Sequence, residues 1–313
     1  MPDWFEEVLN QKVKQSSKQF LENMFSEIEG EAITVLRCII DQIEKGNFKT
    51  FKEKEKIIIS DFAFLQYSRT KVARIDVGQR AVETYREIGH SAIEKNFPID
   101  EYPKEIYPTA TITNDGEKDL HLVTLFESIA NRELRRKLHN DFYSIILKNN
   151  TVVPFITSDH PVVTFPHKKS PVGPISAFYQ EGNEIIFPVS PKYLIIFLEK
   201  NHFSKIASKG QIGKKKKHFM TIDIPLYVEF YNFLQARYSN RFLFSQDSDF
   251  SIITRTMNKY PEVLLDKVIK HESVSIEDKT TGKEYLVSRS LDRGIHEGKY
   301  LGKSFFKSYM SKL

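Results

Sequence analysis

Two apolar runs decide the fold of this chain: Glu184-Ile185-Ile186-Phe187-Pro188-Val189 and Tyr193-Leu194-Ile195-Ile196-Phe197-Leu198. Both are short and rich in β-branched and aromatic residues, and Asn, Ser and Pro residues bound them. This composition is typical of β-strands. The sequence therefore predicts that both runs are strands of a sheet.

The rest of the second half carries further strand and helix signals. Residues 165–182 contain three prolines and two glycines and predict a loop. Asp223 and Pro225 are typical of a helix start, as a cap and a first-turn proline. Further strands are predicted at residues 152–156 and 241–245, a hairpin over residues 273–288, and helices at residues 224–238 and 261–270.

The first 150 residues predict helices instead. Ile33, Leu36, Ile40 and Ile43 fall at i, i+3, i+7 and i+10, which gathers them on one helix face, and Gly46 is placed to end that helix. A stripe that includes Leu138, Phe142 and Ile145 predicts another helix. The predicted helices span residues 16–45, 51–95 and 118–148.

Together these elements predict an α+β protein, with a helical N-terminal half packed on a small, mostly antiparallel sheet. We predict a helical region at residues 1–150. An α+β region at residues 151–250 forms one compact unit with it. Residues 251–313 are predicted to be a C-terminal extension with a basic tail.

The charge of the chain is unevenly distributed. Its 313 residues include 46 Lys plus Arg and 41 Asp plus Glu, a net charge of +5. Residues 201–222 hold six lysines and no acid, and residues 298–313 hold four lysines and no acid. Without those ten lysines, 36 bases face 41 acids, so the remaining 275 residues carry a net charge of −5. The basicity is therefore confined to two short stretches.

Composition and termini also limit the class of protein. A chain that is 40% hydrophobic and 28% charged is neither disordered nor collagen-like. The acidic start lacks the pattern of a signal peptide, and the run at residues 193–198 is too short to cross a bilayer. The single cysteine, Cys38, lies in an apolar run and is predicted to be a buried, inert thiol. We expect a soluble, cytoplasmic protein with no membrane partner.

The segment Thr157-Ser158-Asp159-His160-Pro161 is the most distinctive polar motif. Contiguous residues cannot supply the Ser–His–Asp order of a catalytic triad. One interpretation is a turn in which Ser158 and Asp159 bond to nearby backbone groups. The other keeps Asp159 or His160 as a catalytic member of a site that is completed from elsewhere in the chain.

Gln66 and Arg69 lie three residues apart and share one face of the second predicted helix. We expect Arg69 to pair with Asp159 or Glu31. In the functional alternative, the planar guanidinium of Arg69 holds an anionic group of a ligand. The binding residues predicted for such a site are Arg69, Gln66, Ser158 and Asn232.

Three segments together resemble the bacterial family called domain of unknown function 4238. They are Phe64-Leu65-Gln66-Tyr67-Ser68-Arg69-Thr70, Thr157-Ser158-Asp159-His160-Pro161 and Phe187-Pro188-Val189-Ser190-Pro191. Their order and spacing, with Asn232 and residues 241–245, extend the resemblance over residues 28–245. Members typically open with a His-Tyr-Val-Pro segment before the first helix, and this chain has none. The resemblance implies an intracellular protein of a family with no settled activity.

The sequence has no metal-binding motif but does contain a candidate nucleic-acid-binding segment. The nine histidines show no His-x-His or His-Glu-x-x-His spacing, so the sequence predicts neither a metal nor a cofactor. A lysine run, composed of Lys214, Lys215, Lys216 and Lys217, is predicted to contact nucleic-acid phosphates. Phe203 and Phe219 flank it, either to stack on bases or as strand core. The basic C-terminal tail is predicted to order on a protein partner, a second subunit or an acidic surface.

Three functions remain open at this point, and the sequence does not decide whether the protein is an enzyme. The first is a nucleic-acid-acting protein with Asp159, His160, Arg69 and Gln66 near one cleft. The second is a small-molecule enzyme or sensor for an anionic metabolite. The third is a structural or interaction component of a bacterial defence or toxin cassette.

Overall fold

The computed structural model describes residues 3–75, 78, 125, 132–168, 178–179, 181–204, 219–246, 250–259, 270–277, 284–291 and 305–306. In these residues the helices with defined ends are α1 (Asp3–Glu44), α2 (Glu53–Ser68), α3 (Arg132–Asp141), α4 (Pro225–Tyr238) and α5 (Ser251–Lys259). Residues 71–75 are also helical. The strands are β1 (Phe142–Asn149), β2 (Thr157–Ser158), β3 (Val163–Pro166), β4 (Asn183–Ser190), β5 (Tyr193–Glu199), β6 (Phe219–Ile222), β7 (Leu243–Phe244), β8 (Lys270–Glu277) and β9 (Glu284–Leu291).

One five-stranded sheet organises the fold, in the order β3-β4-β5-β1-β6. Its strand pairs are antiparallel except for β1 and β6, which run parallel. The two apolar runs form β4 and β5, as predicted. Strands β2 and β7 pair in a small second sheet, and β8 and β9 form the predicted hairpin. The α+β class and the mostly antiparallel sheet are therefore confirmed.

Helices cover both faces of the five-stranded sheet. Tyr193, Ile195 and Phe197 pack in one apolar cluster with residues of α1 and α2. The alternating residues of the same strand, such as Leu194 and Ile196, pack in a second cluster with residues of α4. Because successive side chains of a strand point to opposite faces, a strand covered on both sides is apolar at every position. This explains why the β5 run has no polar alternation.

Helix α1 confirms its predicted end and most of its predicted face. It ends before Gly46, whose φ of 71° suits a residue without a Cβ. Of the predicted stripe, Leu36, Ile40 and Ile43 pack in one apolar cluster, whereas Ile33 is 41% exposed. Among the side chains of α1 that the structure describes, Ala32 and Ile39 are also buried. The thiol of Cys38 is also exposed, so its predicted burial is wrong.

The third predicted helix ends earlier than residue 148. Helix α3 stops at Asp141, and strand β1 begins at Phe142. Ile145, Ile146 and Leu147 are all buried, with Ile146 in the cluster of α1 and α2 and its neighbours in the cluster of α4. Three consecutive buried apolar residues fit a strand between two layers and not one stripe of a helix.

Two other local predictions are corrected. Residues 152–156 contain no strand; they are an irregular segment, in which Pro154 has no N–H to offer to a ladder. Helix α4 begins as predicted, but the Asp223 carboxylate accepts a bond from Asn150 Nδ2 at 2.9 Å and does not cap the helix. Of the predicted helix at residues 261–270, only Lys270 is described, and it begins strand β8. Most of the predicted helical residues between 76 and 131 also lie outside the described residues. In the part of the chain that the structure describes, no helix is long and apolar enough to span a membrane.

Candidate functional site

The turn at residues 157–161 bonds to helix α4. Ser158 is buried, and its hydroxyl lies 2.9 Å from Gln235 Oε1. The amide nitrogen of Gln235 donates to the carbonyl of Pro161 at 3.0 Å. Ser158 Oγ also accepts the backbone N–H of His160 at 3.2 Å. This last contact is the local side-chain-to-backbone bond that the turn interpretation predicts.

Asp159 holds the segment that connects α4 to β7. Its Oδ1 accepts the N–H of Asn240 and its Oδ2 accepts the N–H of Arg241, each at 2.8 Å. Its own N–H donates to the carbonyl of Phe242 at 3.1 Å. Such charge-assisted bonds are stronger than bonds between neutral groups. Asp159 therefore uses both carboxylate oxygens to hold backbone.

His160 connects the turn to the C-terminal end of α2. Its ring is buried, and its Nδ1 lies 2.8 Å from the Thr70 hydroxyl. That hydroxyl donates to the carbonyl of Tyr67 at 3.0 Å and accepts the N–H of Ala73 at 3.2 Å. The Thr70 hydroxyl therefore joins the His160 ring to the backbone of Tyr67 and Ala73. Ser158 and His160 therefore bond to different helices.

Asn232 of α4 holds the irregular segment that precedes the turn. Its Oδ1 accepts the N–H of Ile156 at 3.0 Å, and its Nδ2 donates to the carbonyl of Pro154 at 2.8 Å. Asn232 is buried, so without it these two backbone groups would have to find other partners. We use the name polar junction for this whole set of residues: Thr70, Ser158, Asp159, His160, Asn232 and Gln235.

Arg69 lies next to the polar junction but bonds to a different element. Its guanidinium pairs with Glu29 of α1, and its Nη2 donates to Gln66 Oε1 at 2.9 Å. The predicted pairing of Arg69 with Asp159 or Glu31 is wrong, because Asp159 bonds backbone and Glu31 contacts a lysine at 3.4 Å. The reason is helical spacing, which places Glu29 of α1 opposite the end of α2.

The lysine run at residues 214–217 lies outside the described residues, which stop at Ser204 and resume at Phe219. Phe203 is fully buried in the core, so of its two predicted alternatives the core position is the one that holds and base stacking is excluded. Phe219 begins β6 at one edge of the sheet, and the turn leads into β3 at the other edge. Four strand spacings separate these edges, about 19 Å at the usual 4.8 Å per strand.

A second set of buried, hydrogen-bonded polar side chains surrounds strands β4 and β5. The sequence did not predict it. The Glu184 side chain is fully buried on β4; its Oε2 lies 2.7 Å from His167 Nε2, and its Oε1 accepts the Tyr231 hydroxyl at 2.7 Å. We call this set the buried-acid cluster, with these members: Glu184, Glu199, His167, His202 and Tyr231.

Glu199 organises the turn that follows β5. Its carboxylate accepts the N–H groups of Asn201 at 2.7 Å, His202 at 2.9 Å and Gly182 at 3.2 Å. Gly182 has a φ of 81°, and a Cβ placed on it would lie 2.8 Å from that of Lys168. Only glycine fits this close approach without movement of the backbone. Glu199 thereby ties the turn that carries His202 to the start of β4.

Burial determines the protonation of two members of the buried-acid cluster. It raises the pKa of Tyr231 well above its ordinary value, and the nearby Glu184 charge raises it further. Burial also lowers the pKa of His202, and His167 contributes to that shift. At neutral pH, Tyr231 is therefore a hydrogen-bond donor and His202 is predominantly uncharged.

Fold and polar groups together define an α+β protein in which one mixed sheet lies between two helical layers and polar side chains bind α4 to it. The chain belongs to the family described as "Protein of unknown function (DUF4238)", whose model matches residues 4–249. Neither the comparison with curated proteins nor the comparison with solved structures gave a match. Among the described residues there is no group of three or more His, Cys, Asp or Glu side chains arranged to hold a metal ion.

Proposed function

We propose that the protein binds nucleic acid through the lysine run, and that the polar junction holds the fold that presents this run. The observation that carries the proposal is the separation of charge. Ten lysines occupy two stretches without acids, while the other 275 residues carry a net charge of −5. A concentrated positive patch on an acidic body directs the phosphate backbone to that patch.

The described ends of the segment that contains the run support this role. Phe203 is fully buried, and its N–H donates to the carbonyl of Glu199 at 3.1 Å. Phe219 pairs with Ile146 of strand β1. Attachment of the segment at both ends reduces the entropy that is lost when a partner binds.

The polar junction has a supporting role in this proposal. Asp159 and His160 are bonded to backbone and to Thr70, and Arg69 is bonded to Glu29. These residues therefore stabilise the contacts among α2, α4 and the sheet, and the lysine run supplies the affinity. Contacts to phosphates alone give binding that depends on salt and not on base sequence.

The test is retention of a DNA duplex at rising salt by the full chain and by two matched variants. In one variant, all four lysines of the lysine run are changed to Glu. In the control, Lys299, Lys303, Lys307 and Lys312 of the tail are changed to Glu, an equal change in net charge. We expect the first variant to lose binding at low salt and the control to retain it.

The salt dependence gives a quantitative check. Each phosphate contact contributes about 0.9 to the slope of log affinity against log salt on a duplex. A further variant, with all four lysines of the lysine run changed to Ala, should therefore have a slope lower by up to about 3.6. Equal slopes in the wild type and in this Ala variant would refute the proposal.

A second candidate is an enzyme or sensor for an anionic metabolite, and the position of Arg69 favours it. The Arg69 side chain is 35% exposed beside its partner Glu29, so a ligand carboxylate or phosphate has access to it. A thermal-shift screen of nucleotides and phosphorylated metabolites tests this function. A stabilising ligand whose effect is lost in Arg69→Ala supports it, and the same shift in both proteins counts against it.

A further inference from the structure

Two aromatic side chains lie exposed next to each other after helix α4. Phe242 and Phe244 are 58% and 53% exposed, and their ring centroids are 6.5 Å apart. Residues two positions apart in extended backbone point to the same face. Leu243, which lies between them, packs against the core. Exposed apolar side chains that adjoin one another, and are not scattered singly, indicate an interaction surface. We use the name aromatic pair for Phe242 and Phe244.

The backbone that carries the aromatic pair is well anchored. The Asp159 carboxylate accepts the N–H groups of Asn240 and Arg241, each at 2.8 Å. The N–H of Asp159 donates to the carbonyl of Phe242 at 3.1 Å. Phe244 lies in β7, which pairs with β2. Because this backbone is already ordered, a partner that contacts the rings has little more than side chains to immobilise.

An exposed positive charge adjoins the aromatic pair. The Arg241 side chain is exposed, and no carboxylate of the described residues forms an ion pair with it. Asp159 bonds the backbone N–H of Arg241 instead. A guanidinium fits the oxygens of a phosphate, and aromatic rings stack on the flat faces of bases. The two features side by side suit a ligand that carries both bases and phosphates.

We propose that the aromatic pair stacks on two bases of a single-stranded nucleic acid, with Arg241 on an adjoining phosphate. This inference rests on the proposed function and adds to it a preference for single strands. In a duplex, neighbouring bases of one strand stack about 3.4 Å apart, so their faces are covered. The rings of the aromatic pair are 6.5 Å apart, which suits two unstacked bases of an extended strand.

The experiment measures the binding of three labelled probes to the full chain by fluorescence anisotropy. The probes are a thymidine strand of about 20 nucleotides, a strand of equal length without bases, and a duplex of equal length. We expect the wild type to bind the thymidine strand more tightly than the strand without bases. Phe242→Ala and Phe244→Ala should each weaken binding of the thymidine strand at least about 5-fold, the lower end for loss of one stacked base. Binding of the other two probes should not change.

Further variants test the nature of the contact. Phe244→Tyr keeps an aromatic ring and should bind the thymidine strand as the wild type does. Phe244→Leu keeps only an apolar side chain and should bind as weakly as Phe244→Ala. The surface control is Leu226→Ala, because Leu226 is 45% exposed at the opposite end of α4, and this change should not alter binding. All these side chains are exposed, so we expect the variants to fold, which circular dichroism checks.

The results distinguish this inference from the proposed function. If the Glu variant of the lysine run loses all three probes while Phe242→Ala and Phe244→Ala bind the thymidine strand like the wild type, the inference is overturned and the proposed function stands. If only the two Phe variants lose binding that depends on bases, the aromatic pair is confirmed and the role of the lysine run is overturned. The inference also fails if the wild type does not bind the thymidine strand. It fails as well if Phe242→Ala converts a dimer to a monomer in analytical ultracentrifugation and leaves binding unchanged, since the aromatic pair would then join two copies of the chain.

Discussion

The polar junction and the buried-acid cluster both attach helix α4 to the rest of the molecule, but with different chemistry. The junction residues Asn232 and Gln235 are uncharged amides that bond backbone groups and a hydroxyl. In the buried-acid cluster, Tyr231 bonds the carboxylate of Glu184. Three residues within five positions of one helix thus make both kinds of attachment.

This difference indicates where the fold is most vulnerable. A buried amide that is lost removes hydrogen bonds to uncharged backbone groups, each of which contributes about 0.5–1.5 kcal/mol. Loss of a buried carboxylate leaves a histidine and a phenol without their common hydrogen-bond acceptor. Removal of one partner from a buried ion pair costs about 3–5 kcal/mol. We therefore expect the buried-acid cluster to be more sensitive to substitution than the polar junction.

The largest effect is expected for Glu184→Ala, which should lower the free energy of unfolding by about 3–5 kcal/mol. The substitution removes the acceptor of both Tyr231 and His167. Urea unfolding followed by circular dichroism measures the loss. The matched control is Tyr231→Phe, which removes one bond to a charged group and should cost about 1.5–3 kcal/mol. If Glu184→Ala and Tyr231→Phe lowered the free energy of unfolding equally, the Glu184 carboxylate would contribute no more than its bond to Tyr231.

The next effect is expected for Asn232→Ala, at about 2–3 kcal/mol in the same urea experiment. The substitution leaves the N–H of Ile156 and the carbonyl of Pro154 without their partner. Asn150→Ala is the control, because its amide makes an exposed bond to Asp223 and its loss should change stability by less than about 0.5 kcal/mol. A loss above that of Glu184→Ala would reverse the ranking of the two regions.

Much of the fold was predictable because strand and helix signals are local. The runs that form β4 and β5, the end of α1 at Gly46 and the β8–β9 hairpin all follow from residue type and spacing. Strand β1 was mistaken for helix, because Leu138, Phe142 and Ile145 also fit a helical period. Only its position between two helical layers, which is a property of the tertiary structure, selects the strand.

The sites were harder to predict, because their partners are distant in sequence. Ser158, Asp159 and His160 are conspicuous together, yet their bonds go to Gln235, to backbone at residues 240–241 and to Thr70. A visible signal for the buried-acid cluster existed in Glu184 and Glu199, which stand at the ends of two apolar runs. A charged residue next to a fully apolar run is itself expected to be buried. Its hydrogen-bond partners, however, follow only from the fold.

A smaller effect, dependent on pH, is expected at the contact between α1 and the sheet. The Glu44 carboxylate accepts the hydroxyl of Tyr193 and pairs with Lys148 at 2.9 Å. The bond from Tyr193, followed by Lys148, lowers the pKa of Glu44. Because the folded state has the lower pKa, the unfolded chain binds more protons in acid. The contribution of Glu44 is therefore present above its ordinary pKa of 4.5 and is lost as the pH falls through the folded value.

Glu44→Gln checks this sign. In urea unfolding at a series of pH values from 6 to 3, we expect stability to fall less steeply in Glu44→Gln than in the wild type. Glu181→Gln provides a comparison, since Lys168 lowers the pKa of Glu181 without any contact to α1. The same slope in wild type and Glu44→Gln would mean that the bond from Tyr193 does not persist in solution.

The smallest effect is expected for Arg69→Ala, below about 1 kcal/mol, although Arg69 lies in one of the three segments that carry the family resemblance. The side chains of Arg69 and Glu29 are 35% and 31% exposed, and water and salt screen pairs of this kind. Urea unfolding at low and high salt measures the difference, and we expect it to disappear at about 1 M salt. The control is Lys54→Ala, whose more exposed pair with Glu31 should contribute even less. If Arg69→Ala cost as much as Asn232→Ala, the bond to Gln66 would make Arg69 part of the buried attachment, and its exposed charge would no longer favour an anionic ligand.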